Sequence, residues 1–285
     1  MNFKTYYEIF KILLILFSIW FLFIGVNILP QHFIGDDLHL VRKYTFNEVL
    51  DAWYSDWDPD NLETLAYRPI AILFYNFQSL LFGEIYFFHN LFSIFLLFVL
   101  INIIIIFFLY LNFSKAQILI FLSIFIFSKT FSTLVSWKVL SALIFCYICF
   151  FLVGFFFLKW LRNKKTKYLF YIFIFTFLSI FSREETYHLP FFLIIIFLFD
   201  QANKKINFYL LRDPLIITIA LVTCHYLLRL HFVPEAVQPE INLSSLLNFL
   251  KAGLATGLPG GIKTYETYEK VLQLSWVFGL LFLTT

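Results

Sequence analysis

Asp36 and Asp37 stand side by side, a few residues beyond the first long apolar run of the chain. A carboxylate in that place could take a proton from an acceptor hydroxyl. The pair could instead hold a divalent cation through oxygen ligands, or could solvate the end of a loop. Arg68 precedes Pro69, which pushes its backbone towards an extended conformation. Its planar fork suits bidentate binding of a phosphate head group, although an arginine at a helix end also anchors by snorkelling. Arg183, Glu184 and Glu185 form three consecutive charges between two apolar runs. Pairing of one glutamate with Arg183 would leave the other for substrate or metal; the plain alternative is a solvated turn. His188 lies one turn further on, and Lys138 follows Trp137 at another break between apolar runs. Like His32 and His39, a lone histidine such as His188 is more often structural than chemical.

These groups need elements to hold them, and the composition says which kind. The 285 residues are 61% hydrophobic and 14% charged, with 42 phenylalanines, and the mean hydropathy is +0.84. Water-soluble domains are not built this way. Long unbroken apolar runs also exclude a β-barrel, whose strands alternate. The expected class is an all-α polytopic membrane protein. The cysteines Cys146, Cys149 and Cys224 all lie within apolar runs. The C-x-x-C of the first two lacks a redox context, and buried cysteine behaves as a small hydrophobe.

In chain order, the first helix is expected over Ile9 to Leu29, long enough for the roughly 20 residues a bilayer requires, and Pro30 ends it. It is too long for a cleavable signal core. A polar loop follows over residues 31–69. Within it, Thr45 and Glu48 form a capping-box pattern, followed by Phe46, Val49, Leu50, Trp53 and Trp57 at helical spacing. That predicts an amphipathic helix on the membrane surface with tryptophan as anchor. Further helices are expected over Ile85–Tyr110, Gln117–Val135, Val139–Trp160, Tyr168–Phe181, Tyr187–Phe199 and Pro214–Phe232, with a shorter one over Ile70–Phe82. A later polar loop covers residues 233–270 and holds an amphipathic candidate at Leu243–Leu254. The last run, Val271–Thr285, is shorter than a full span. About seven to eight membrane helices result.

Alternation of the helices puts the N-terminus, Lys115, the stretch from Arg162 to Lys167, and Lys204 with Lys205 on one side, provided that Ile70–Phe82 does not cross. These hold most of the lysine and arginine, which makes that side cytoplasmic. Asp36, Asp37, Arg68, Lys138, Arg183, Glu184 and Glu185 then share the other face. Ionisable residues held at a membrane in this way are functional candidates by default.

With those motifs in place, the chain resembles the GT-C membrane glycosyltransferases, in the branch related to protein O-mannosyltransferases. The resemblance rests on Asp36-Asp37 in the first outer loop, the surface helix after it, Tyr67-Arg68-Pro69-Ile70, and Val135-Ser136-Trp137-Lys138 followed by Leu140-Ser141-Ala142-Leu143. A basic turn, then Ser182-Arg183-Glu184-Glu185 with Leu189-Pro190, complete it. It covers roughly residues 9–200. It implies a GT-C-like bundle in the cytoplasmic membrane with a non-cytoplasmic active face. Such an enzyme moves a sugar from a polyprenyl-phosphate donor to a hydroxyl of a protein or glycan acceptor, with inversion by direct displacement. Asp36 or Asp37 would be the base, and would hold a divalent metal ion if one is used. Arg68 and Arg183 would hold the lipid phosphate, and Glu184, Glu185, His188 and Lys138 would shape the site. The resemblance implies a single module over residues 1–285 with further helices beyond it or a partner subunit. No nucleic-acid partner is expected. A transporter-like or non-catalytic scaffold with the same fold is the alternative.

Overall fold

The computed structural model describes residues 3–26, 33, 37–55, 66–201 and 208–233. Among them every regular element is helical. Helix α1 covers Phe3–Trp20 and runs into a π-turn at Phe21–Gly25. Gly25 lets the chain pack closely there, since a Cβ would stand 3.0 Å from the buried Trp20 ring. Two short helices follow, α2 at Asp37–Leu40 and α3 at Phe46–Asp51. Helix α4 is Pro69–Phe82, with proline in the first turn, where no helical N–H is needed. Helix α5 is Tyr86–Tyr110 and α6 is Lys115–Ile126. Next come α7 at Lys129–Ser136, a single 3-10 turn at Lys138–Leu140, and α8 at Ser141–Asn163. Helix α9 is Lys167–Ser182, followed by a 3-10 turn at Glu184–Thr186. Helices α10, Leu189–Gln201, and α11, Tyr209–Phe232, complete the described chain.

Among the described residues four stretches are long and apolar enough to cross a membrane: Lys4–Gly25, Tyr86–Tyr110, Lys138–Asn163 and Tyr209–Phe232. Helices α4, α6 and α9 are apolar but shorter. One expected helix is broken. The run predicted over Gln117–Val135 divides at Phe127-Ser128, because the Ser128 hydroxyl accepts from Phe131 N and starts a new helix. The later amphipathic candidate at Leu243–Leu254 and the run Val271–Thr285 lie outside the described residues.

Contacts along the helices fix their directions. Tyr6 donates to Asn102 and Phe10 meets Phe98, so α1 and α5 are antiparallel. Helices α5 and α8 are parallel: Lys138 sits over the Tyr86 ring at one end, and Arg162 donates to Tyr110 O at the other. Cys146 against Ser179 makes α9 antiparallel to α8. Trp160 Nε1 donates to Leu210 O, and Tyr187 meets His225, so α11 runs the same way as α9. The Trp160 bond has a local cause. Pro214 has no N–H, which leaves the Leu210 carbonyl without a helical donor. One end of the bundle therefore holds Arg68, Lys138 and Arg183, and the other holds Lys115 and Arg162.

Helix α4 does not traverse the bundle. Its first residues join Arg68 to Glu184, its middle residue Tyr75 donates to Val139 O, and its last turn bonds to His89. All of these partners are at the Arg68 end, so α4 lies across that end. Lower down, packing is tight. A Cβ at Gly154 would stand 2.9 Å from Phe192 and 3.0 Å from Phe107, so this glycine lets α5, α8 and α10 approach closely.

Candidate functional site

The capping box expected at Thr45 forms. Glu48 N reaches Thr45 Oγ1 at 3.3 Å, and Glu48 Oε2 accepts from Thr45 N at 2.6 Å. The Thr45 backbone hydrogen bond, outweighing burial and joined by Arg42, holds the Glu48 carboxyl below its ordinary value. Phe46, Leu50 and Tyr54 are exposed, as a surface helix requires. Trp53 has a further role. It stacks on Phe177 and lies against Phe181 of α9, so it also ties the loop to the bundle. Trp57 lies outside the described residues.

The loop delivers Asp37 to the start of α8. Asp37 is fully buried, and its Oδ1 accepts from Val139 N at 2.7 Å. Tyr75 donates to the carbonyl of the same residue at 2.6 Å. Helices α2 and α4 thus grip one peptide segment from both of its polar groups. Lys138, beside it, is also fully buried; its Nζ donates to Val135 O and is attracted by Asp37. Asp36 lies outside the described residues. The Tyr75 hydroxyl is within electrostatic reach of Arg183, Arg68, Asp37 and Glu185.

The turn after α9 does not leave one glutamate over, as the sequence suggested. Both are paired. Glu185 takes Arg183 in a fork, with Nη2 to Oε1 at 2.8 Å and Nε to Oε2 at 3.2 Å. Glu184 takes Arg68 Nε at 2.6 Å and Tyr67 N at 3.3 Å. Burial raises the Glu185 carboxyl, but its bonds to Arg183 and the nearby Arg68 outweigh burial and hold it below the ordinary value. Burial likewise works against the charge on Arg183, and Glu185 more than restores it. His188 is apart from this network. It is exposed beside Phe150, and its carbonyl starts α10 by accepting from Phe192 N.

Two buried clusters were not visible in the sequence. His225 is fully buried, with Nε2 3.0 Å from Tyr67 O and Nδ1 2.6 Å from Tyr187 Oη. A carbonyl only accepts, so Nε2 carries the proton and Nδ1 takes the tyrosine hydrogen. Burial pushes the Tyr67 phenol up to about 12, with Cys224 and Tyr54 adding to it, and its hydroxyl donates to Trp53 O. The second cluster chains Ser141 to Gln78 at 2.9 Å, Gln78 to His89 at 3.0 Å, and His89 to Gly83 O at 2.9 Å. A histidine inside a long apolar run was the available signal for both. Cys146 and Cys149 are buried free thiols, and the Cys146 thiol donates to Ser179 O.

Among the described residues no group of three or more His, Cys, Asp or Glu side chains could hold a metal ion. This end brings together two arginines, each paired with a glutamate, beside a buried aspartate and lysine. No family model, curated protein or solved structure matches this chain.

Proposed function

We propose that the protein is a membrane glycosyltransferase with a GT-C-like bundle, acting on a polyprenyl-phosphate-linked sugar at the non-cytoplasmic face. The observation that carries this reading is convergence. Asp37, Arg68, Lys138, Arg183, Glu184 and Glu185 come from separate stretches of the chain and meet at one end of an apolar bundle. An amphiphilic donor suits that end. Arg68 caps α4, and α4 exposes Leu73, Phe77, Leu80 and Leu81 at helical spacing. A phosphate at the arginines and an isoprenoid tail along that stripe would match both chemistries.

In this reading Arg68 and Arg183 stabilise the charge that grows on the departing lipid phosphate, and Glu184 and Glu185 hold the two forks in place. The buried Asp37, with one oxygen on Val139 N, serves as the anchor of the loop, which assigns the general base to its neighbour Asp36. The base takes the acceptor proton as the acceptor oxygen displaces the lipid phosphate from the anomeric carbon, with inversion. The acceptor is a protein or glycan hydroxyl.

Transfer of labelled sugar from polyprenyl-phosphate donors in membranes tests this. Asp36→Asn should abolish transfer with insertion and abundance unchanged, and Arg68→Ala should raise the KM for the donor. Undiminished transfer in Asp36→Asn would remove the base assignment. One observation favours a second reading, a non-catalytic scaffold of the same fold: both glutamates are already engaged by arginines within the chain. A scaffold would show no transfer in any variant, with divalent metal supplied or withheld.

A further inference from the structure

Resting on the glycosyltransferase reading, we propose that a cavity at the far end of α4 is the acceptor site and that its ligand is a carbohydrate. The cavity has a volume of about 780 Å³ and is bounded by Phe33, Arg42 and Lys43 on one wall and by Ser79, Gly83 and Glu84 on the other. Ser79 is 2% exposed, and its hydroxyl has no hydrogen-bond partner among the described residues. A helical serine ordinarily bonds back to the carbonyl one turn earlier, and a buried hydroxyl left without a partner is costly. Ser79 lines the cavity, and a change of its side-chain rotamer would turn this hydroxyl towards a ligand there. Gly83 adopts φ +57°, and a Cβ there would meet nothing within 4 Å, so the turn opens directly onto the space.

The walls are held before any ligand arrives. Tyr44 N donates to Asn76 at 3.1 Å, Arg42 pairs with Glu48 at 2.9 Å, and His89 fixes the Gly83 carbonyl at 2.9 Å. Among the described residues the lining carries cations, a carboxylate, a hydroxyl, one aromatic ring and the aliphatic Val41. A neutral polyhydroxylated ring can donate to Glu84, accept from Arg42 and Lys43, and rest its C–H face on Phe33. An anion would meet Glu84, and an apolar chain would desolvate the charges without pairing them.

Its position also fits an acceptor. The Phe33 ring meets Tyr86 edge-on at 5.4 Å, and Tyr86 carries Lys138 on its face at 5.4 Å, next to Asp37. Arg68 and Ser79 are separated along α4 by roughly 16 Å at 1.5 Å per residue, with Tyr75 and its Val139 contact between them. Donor phosphate and acceptor would approach the acidic segment from the two ends of one helix.

The test uses the full chain in detergent micelles, with labelled mannotriose and maltotriose as probes and a serine- and threonine-rich peptide beside them. At least one trisaccharide should bind, and the Lys43→Ala/Glu84→Ala double variant, both residues being exposed, should bind it at least tenfold more weakly. The KM for the saccharide acceptor should rise by a similar factor in that variant. Failure of both trisaccharides to bind, equal binding by the variant, or peptide binding in their place would overturn the carbohydrate site. Saccharide binding lost in the variant, with no donor turnover by the unaltered chain, would leave the site standing and remove the glycosyltransferase reading alone.

Discussion

The two ends of the bundle use the same residue types in different ways. At the Arg162 end, Lys115 and Glu8 meet at 2.8 Å with side chains 40% and 43% exposed, and Arg212 and Asp213 are sequence neighbours at the surface. Arg162 reaches Asp200 only at 3.6 Å and rests on the Tyr110 ring. At the Arg68 end, the Arg68–Glu184 pair is 18% and 12% exposed and joins residues 116 apart, while Asp37 and Lys138 are fully buried. Exposed pairs contribute little. Buried charges are costly to desolvate and persist where every group finds a partner. Apart from Asp200, whose side chain is 7% exposed, the charges at the first end thus follow from where lysine and arginine settle along the chain. Those at the second are held against a desolvation cost, which is why the functional reading is placed there.

The contrast predicts a graded series of losses, read as thermal unfolding in micelles. Glu184→Ala should be the most damaging, by about 3–5 kcal/mol, because it removes a partly buried carboxylate that accepts from both Arg68 Nε and Tyr67 N. A shift no larger than that of a surface variant would place Arg68 in solvent and erase the difference between the ends. Asp37→Ala should cost about 1–3 kcal/mol, since Val139 N loses its acceptor. Its amide should then exchange with deuterium faster, and an unchanged exchange rate would refute the anchor.

Acid should act on the Arg68 end through Glu185. Its folded pKa lies below the ordinary 4.5, so the stabilisation it supplies is complete above that value and is lost as pH falls through the folded pKa. Melting temperature should therefore decline below about pH 4.5, and Glu185→Gln should flatten that decline. The same slope in the variant would assign the acid sensitivity elsewhere. Lys115→Ala should have the smallest effect, about 0.2–1 kcal/mol, shrinking with salt. A loss matching that of Glu184→Ala would make the two ends equivalent.

Much of this organisation was legible beforehand. The alternation of apolar runs placed Asp37, Arg68, Lys138 and Arg183 on one end, and the helix directions agree with that grouping. The Thr45 capping box was readable because a cap is a contact between residues three apart. By the same rule Ser114 and Gln117 form a second capping box, at the start of α6, which the S-x-x-Q spacing could have revealed. The break at Ser128 was missed because the polar stretch Ser128-Lys129-Thr130, which opens a new helix, was read as part of one continuous run.

Hydropathy, proline and capping patterns are local, so the sequence alone determined the helical class, most of the helices and which charged groups share an end. Pairing depends on the angles and registers at which distant helices meet, and no local pattern encodes those. Only the tertiary structure gave Glu184 to Arg68 while Arg183 took Glu185, buried Asp37 against Val139, brought His225 to Tyr67, and laid α4 across the end of the bundle. The physical reason is common to all four. A polar group buried in an apolar bundle must find its partner within the protein, and which partner lies within reach is settled by the packing of the whole chain.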